Sequence, residues 1–456
     1  MLRLQSAFIA AVSGLVFFAL APAASAESMA QALASAYADN PEVNSARAQT
    51  RADDENVPIA RARRLPSVGI TNSTTWRTTD VTPASGEDTT LDNQVGLSVT
   101  QSVFSGFQVT NAIRQSESVV LASREFLRNT VQNVLFQAAQ AYMDVIRDIA
   151  ILDIRRKNVL FLGEQVRASN ERFNVGENTR TDVAQARAAS AEARAAVSLA
   201  VANLAISRAI YRQVIGNDPG RLTDGFPYSR LVPKRMPEAV AVGENSHPVI
   251  LAAIHQADAQ AFAVKQIEGE LLPSASIEGN VGRSDDVIGD GADPNSASII
   301  GRVTIPLFPA GSVYPRIRQA KEQYGLQRIQ IDLARDQVRA TVVSAWAQVE
   351  AAEGAISAAQ EGVEAAEIAL SGVQEEQNVG QRTTLDVLDA QQVLLNARET
   401  LIVARRGRVV ASFSVLSAMG RLTAEALGLP TAAYDPTEHY KAVRGRFIGT
   451  RTPDGR

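Results

Sequence analysis

The chain predicts a mainly α architecture with β, built as a duplicated unit of two strands followed by a long helical hairpin. Three observations carry this. The sequence repeats itself, prolines are missing from two long stretches, and those stretches hold a seven-residue apolar repeat. The duplication is read from constant offsets. Asn40-Pro41 answers to His247-Pro248 and Leu65-Pro66-Ser67 to Leu272-Pro273-Ser274, both 207 residues apart. Further on the offset is 204, pairing Ile113-Arg114-Gln115 with Ile317-Arg318-Gln319, Val175-Gly176 with Val379-Gly380, and Asp182-Val183 with Asp386-Val387.

The order of elements follows from the N-terminus. Arg3 precedes an apolar run from Ala7 to Ala21, Pro22 breaks it, and Ala24-Ser25-Ala26 supplies small residues for cleavage. Residues 1–26 read as a secretory signal peptide, and the run is too short to span a bilayer. The first repeat then covers 27–219, the second 220–429, and a tail rich in Pro, Gly and Arg, read as mobile, covers 430–456.

Each repeat opens with a helix start and two strands. The strands fall at about 66–77 and 94–104 in the first copy, and at about 273–283 and 297–307 in the second. Alternation is visible in Val95, Leu97 and Val99 against Gly96, Ser98 and Thr100. Strands of this length with one apolar face suit a transmembrane barrel, although a small soluble sheet with one solvated face has the same pattern. Four strands cannot close a barrel, and an open edge in lipid is prohibitive. A membrane barrel therefore pools strands from several copies: two chains supply eight strands, three supply twelve, and only the larger leaves an aqueous bore.

No proline lies between Pro83 and Pro219 or between Pro315 and Pro430. Proline costs a helix interior about 3 kcal/mol, so long helices are permitted there. Positions 131, 138, 145, 152, 159, 166 and 173 read Val, Ala, Val, Leu, Val, Val, Phe, and positions 388, 395, 402, 409 and 416 read Leu, Leu, Ile, Val, Leu. Such a repeat makes helices supercoil on one another. The helical hairpins are placed at about 107–215 and 311–420, each outgoing helix roughly 100 Å long and stopped by Val175-Gly176 or Val379-Gly380.

Composition removes other classes. With 45 basic and 49 acidic residues there is no basic excess to recruit nucleic acid. The absence of cysteine excludes disulfides, thiolate metal sites and a lipid-carrying N-terminal cysteine. His247, His255 and His439 lack metal-ligand spacing, and His247 stands at a helix start matching Asn40. No phosphate loop, nucleophile elbow or carboxylate–histidine set emerges, so neither catalysis nor a cofactor is expected.

These features resemble the TolC family of outer-membrane efflux and secretion proteins. The most specific motifs are Arg172-Phe173-Asn174-Val175-Gly176 followed by Thr181-Asp182-Val183, and Asn378-Val379-Gly380 followed by Leu385-Asp386-Val387-Leu388-Asp389-Ala390. Val103-Phe104-Ser105-Gly106 and Leu307-Phe308-Pro309-Ala310-Gly311 also look like the family's. The resemblance implies a homotrimer in the outer membrane, with a 12-stranded β-barrel continuous with a periplasmic α-helical coiled-coil barrel. It implies an exit duct for proteins or small molecules, working with a periplasmic adaptor and an inner-membrane transporter. Its selectivity ring falls on Asp386 and Asp389, its closing contacts on Thr181, Asp182, Gln377 and Arg382, and its adaptor-contact turns on Val175, Gly176, Val379 and Gly380. The family's tyrosine is replaced by Gln377, so a different closing contact is expected there.

Helix capping competes for the same residues. Thr179-x-x-Asp182 and Thr383-x-x-Asp386 both read as capping boxes, whereas Asp389 lies one turn beyond Asp386 on the same face. A periplasmic coiled-coil adaptor is the rival reading from another class. It shares the helical hairpins but has no need of two membrane-length strand pairs.

Overall fold

The computed structural model describes residues 27–80, 87–223, 231–288, 295–309 and 311–455. The expected signal peptide and the centres of the two strand-connecting loops, residues 81–86 and 289–294, lie outside them.

The first repeat begins with helices α1 (Met29–Asp39), α2 (Pro41–Asp54) and α3 (Asn56–Ala62). Strands β1 (Ser67–Asp80) and β2 (Glu87–Ser105) lead into the hairpin of α4 (Gln108–Asn174) and α5 (Arg180–Ile215). The second repeat runs through α6 (Met236–Ser246), α7 (Pro248–Glu268), β3 (Ser274–Ile288), β4 (Asn295–Thr304), α8 (Val313–Asn378) and α9 (Thr384–Ala418). The strands are longer than the sequence suggested in three of four cases, because polar residues continue each ladder beyond the apolar alternation.

Matched caps start the second helix of each repeat. Asn40 accepts from the Glu42 amide at 2.8 Å and His247 Nδ1 from the Val249 amide at 3.2 Å, with proline at the first helical position in both. Asn40 also donates to the Val214 carbonyl at 2.8 Å, tying the start of the repeat to the end of its return helix.

The four strands form one antiparallel sheet in the order β1-β2-β3-β4. Its register stacks Ile70, Leu97, Val281 and Ala297 on one face, and Thr71, Gly96 and Gly282 on the other. The apolar face is uncovered: Ile299 is 85% exposed and Trp76 75%. Among the described residues, both edge strands lack a partner on their outer side.

Strand passes to helix at a close backbone contact. Gly106 adopts φ +58°, and a Cβ there would stand 2.2 Å from the Gly269 carbonyl; a Cβ on Gly269 would meet the Gly106 carbonyl at 2.3 Å. Only glycine fits at either position.

The main core lies where the short helices wrap the middle of α4 and the ends of α5 and α9, around Leu33, Leu135, Tyr142, Tyr211, Phe413 and Leu416. The heptad on α4 is buried at Ala138, Val145 and Leu152, half-buried at Val159 and Val166, and exposed at Phe173. A single chain therefore covers its helices less and less toward the tips. Helix α5 is long and apolar enough to cross a membrane, with a mean hydropathy of 1.3 over its most apolar window. That apolarity is largely alanine, which brings α5 close to α4, and Arg187 on it donates to Asn170 of α4 at 3.1 Å.

Part of the tail is helical and packed. Residues 437–443 form α10 (Thr437–Val443), and Val443 is buried. The Tyr37 hydroxyl accepts from the Tyr434 amide at 3.0 Å, His439 lies 3.1 Å from the buried Asp54, and Arg124 stacks over Tyr440. Burial raises the Asp54 pKa, against the opposing pull of His439 and Arg124. A heptad search cannot detect a seven-residue helix held by a single buried ion cluster.

Candidate functional site at the hairpin tips

Both tips use the same backbone device. Gly176 (φ 85°) and Gly380 (φ 78°) end the outgoing helices in the left-handed conformation. In the first tip the Glu177 amide donates to the Arg172 carbonyl at 2.8 Å, and in the second the Gln381 amide donates to the Glu376 carbonyl at 2.8 Å. These bonds satisfy carbonyls that the helix end leaves open. They turn Val175 and Val379 outward, 72% and 71% exposed.

The return helices then start with two complete capping boxes. The Thr179 amide donates to Asp182 at 2.8 Å, and the Asp182 amide donates back to the Thr179 hydroxyl at 3.2 Å. The Thr383 amide donates to Asp386 at 2.8 Å, and the Asp386 amide returns to the Thr383 hydroxyl at 3.3 Å. The bonds from Thr383 lower the Asp386 pKa below the ordinary carboxylate value, and Arg382 adds to this. Asp386 is therefore both a cap and a charge at neutral pH. Asp389 is exposed one turn further along, on the side of α9 that Asp386 occupies.

The expected closing residues do not converge within the chain. Arg382 donates to Glu376 of its own hairpin at 2.8 Å rather than to Thr181 or Asp182 of the first, and this carboxylate raises the Arg382 pKa. Gln377 donates to the Thr384 hydroxyl at 3.4 Å. Thr181 is exposed.

The contacts that do join the tips come from residues the sequence did not single out for this role. Arg172 donates to Asn378 at 3.3 Å, and Asn178 bridges Ser169 at 3.1 Å and Thr384 at 3.5 Å. Below them, polar staples tie α4 to α9: Gln391 to Asn158 at 2.8 Å, Arg155 to Glu399, and Arg406 to Asp144 at 2.9 Å. As α4 positions fall, their α9 partners rise, which is the signature of two antiparallel helices. No local periodicity marks such pairs, because each joins residues more than 200 positions apart.

A duplicated strand-pair and long-hairpin chain with an uncovered apolar sheet defines an outer-membrane channel protein of the TolC fold. The chain belongs to the outer membrane efflux protein family, whose sequence profile matches residues 32–217 and 244–421, one segment in each repeat. It is 44% identical to the outer membrane efflux protein BepC of Brucella suis over 95% of this chain and 94% of that protein. It is 25% identical to the outer membrane protein TolC of Escherichia coli, over 88% and 84% respectively. Among solved structures, the Campylobacter jejuni CmeC outer membrane channel aligns with a TM-score of 0.75 at 17% identity, covering 91% of this chain and 89% of that one. The protein is thus an outer-membrane efflux protein.

Proposed function

We propose that three copies of this chain close into one 12-stranded barrel continuous with a helical tunnel. The assembly would form an exit duct for proteins or small molecules. The carrying observation is the four-stranded sheet with two open edges and one exposed apolar face. Unpaired backbone groups are not tolerated in hydrocarbon, so the edges of one copy pair with those of the next. The loss of burial along α4 toward Phe173, and the exposure of Leu160, Leu199 and Ile329, fit helices that neighbouring copies cover. In this reading the sheet's apolar face meets outer-membrane lipid, and the exposed turns at Val175-Gly176 and Val379-Gly380 meet the periplasmic adaptor of an inner-membrane transporter.

The tip is the gate of the proposed duct. Three copies bring six carboxylates, Asp386 and Asp389 from each, around one opening that draws cations and repels anions. The closing contacts are assigned to Thr181, Asp182, Gln377 and Arg382 together with the tip-joining Arg172 and Asn178. Arg382 would have to leave Glu376 to reach a neighbouring hairpin. Cross-linking and light scattering of the detergent-extracted protein test the assembly. A trimer with both α and β signals in circular dichroism is expected, and a monodisperse monomer with an intact barrel would overturn the reading.

A further inference from the structure

We infer that the C-terminal segment after α10, with the end of α3, is a contact surface for anionic phospholipid headgroups of the periplasm-facing leaflet. The inference rests on the outer-membrane placement of the family. Its first support is position. Arg61, near the end of α3, donates to the Arg444 carbonyl at 3.2 Å and to Glu117 at 2.9 Å. Arg61 stands six residues before β1, whose apolar side chains begin with Val68. The segment is therefore pinned near the level where the uncovered apolar band of the sheet starts, on the side of the helices.

The second support is charge without partners. Arg63 and Arg64 follow α3, and Arg444, Arg446 and Arg451 follow α10; all five are exposed. Arg64 donates to the Thr110 hydroxyl, and among the described residues none of the five forms an ion pair. Asp454 is the segment's one acidic side chain. Between the arginines stand Phe447 and Ile448, the latter 90% exposed. Cations spaced around an uncovered aromatic and an uncovered aliphatic side chain form the pattern that sits at a bilayer interface.

The third support is the other repeat. The residues 207 positions after Arg61 and Arg63 are Glu268 and Glu270. Both are neutralised, by Lys321 at 2.9 Å and Arg316 at 2.7 Å. At these two positions the second repeat carries paired acids where the first carries cations, so positive charge there is not a general requirement of the strand base.

The chain has no cysteine, so Thr450→Cys gives a single labelling site on an exposed residue. The full-length assembled protein carrying an environment-sensitive fluorophore there is placed in nanodiscs of phosphatidylethanolamine, with or without phosphatidylglycerol. The expected result is a blue shift and shielding from an aqueous quencher only with phosphatidylglycerol, reversed by high salt. Replacing Arg444, Arg446 and Arg451 by Gln weakens the association roughly hundredfold, since each cation near an anionic surface strengthens it several-fold. Channel conductance stays at the parent value, which separates loss of lipid contact from loss of the duct. Equal emission in the two lipids would overturn the inference even if the triple variant assembled poorly. So would a shift that survives both salt and charge removal, or one that requires added peptidoglycan fragments instead of anionic lipid.

Discussion

The two hairpin tips share a backbone and differ in what their side chains reach. Glycine at the turn, the capping threonine and the first-turn aspartate recur at an offset of 204 residues with the same bonds. Around them the charges diverge: Arg172 stands where the second repeat has Glu376, Asn178 where it has Arg382, and Gln185 where it has Asp389. The first tip's Arg172 and Asn178 reach across to the second, whereas Glu376 and Arg382 bond each other. Duplication has kept the positions that dihedral angles and caps constrain. Solvent-facing positions were free to change, and the gate proposed above combines those changes with the recurring first-turn aspartates.

The largest expected effect tests the joint between strand and helix, where the repeats also differ. A Cβ at Gly106 meets backbone, while one at Gly311, also at positive φ, meets nothing within 4 Å. Gly106→Ala combines a left-handed alanine with a backbone clash and should cost about 3–5 kcal/mol, lowering the yield of assembled protein in heat-modifiability gels. Gly311→Ala should cost only about 1 kcal/mol. Equal losses would show that conformation, rather than the close approach, sets the constraint.

Selectivity should divide the tips next. The double variant Asp386→Asn, Asp389→Asn should lose cation preference and block by trivalent cations, measured as reversal potential across a salt gradient in planar bilayers. It should still fold, since Asn remains a good acceptor at a helix start. Asp182→Asn in the first repeat should leave selectivity at the parent value. If both variants behave alike, the aspartates are caps only.

The paired helix starts separate by pH. Burial holds the His247 imidazole below its ordinary pKa, assisted by the nearby Arg128 and opposed by its hydrogen bond to the Ser417 carbonyl. Above about pH 6.5 the unfolded chain is neutral too, and the cap's contribution is fully present. Below that, the unfolded chain takes up a proton that the folded state resists, and stability falls with pH. Melting temperature should therefore drop between neutral and mildly acidic pH, and His247→Asn, which installs the first repeat's cap, should flatten that drop. Removing either cap with Ala should cost about 1 kcal/mol.

The smallest effect is expected from Arg382→Ser. Its pair with Glu376 is solvent-exposed, and such pairs are screened, so melting should barely move, while loss of the proposed closing contact should raise single-channel conductance. Unchanged conductance would show that the tip closes by other contacts.

The fold was legible wherever one physical rule acts on a local stretch. Missing prolines, heptads and Val-Gly stops located α4, α5, α8 and α9 to within a few residues, and alternation located the strand cores. The capping boxes at Thr179 and Thr383 could be read because acceptor and donor lie three residues apart. The staples at Asn158, Glu399 and Asp144 could not, since a lone polar residue on a heptad carries no sign of its partner. The docking of α10 was hidden for the same reason: Asp54 and His439 are 385 residues apart and neither belongs to a motif.

The contact between Gly106 and Gly269 has a further consequence for how copies meet. Their repeat counterparts, residues 310 and 62, are both alanine. Within a chain the seam between the repeats excludes any methyl group on either side. In a ring of three chains, the matching seam between neighbours would have to accommodate two. A three-fold ring with six nominally equivalent junctions then has two kinds, tight internal ones and wider ones between subunits. A side chain at position 106 or 269 meets the opposing backbone carbonyl whatever residue carries it, so neither position can change, alone or together. Sequence drift should accordingly gather at the subunit boundaries and spare the internal joints.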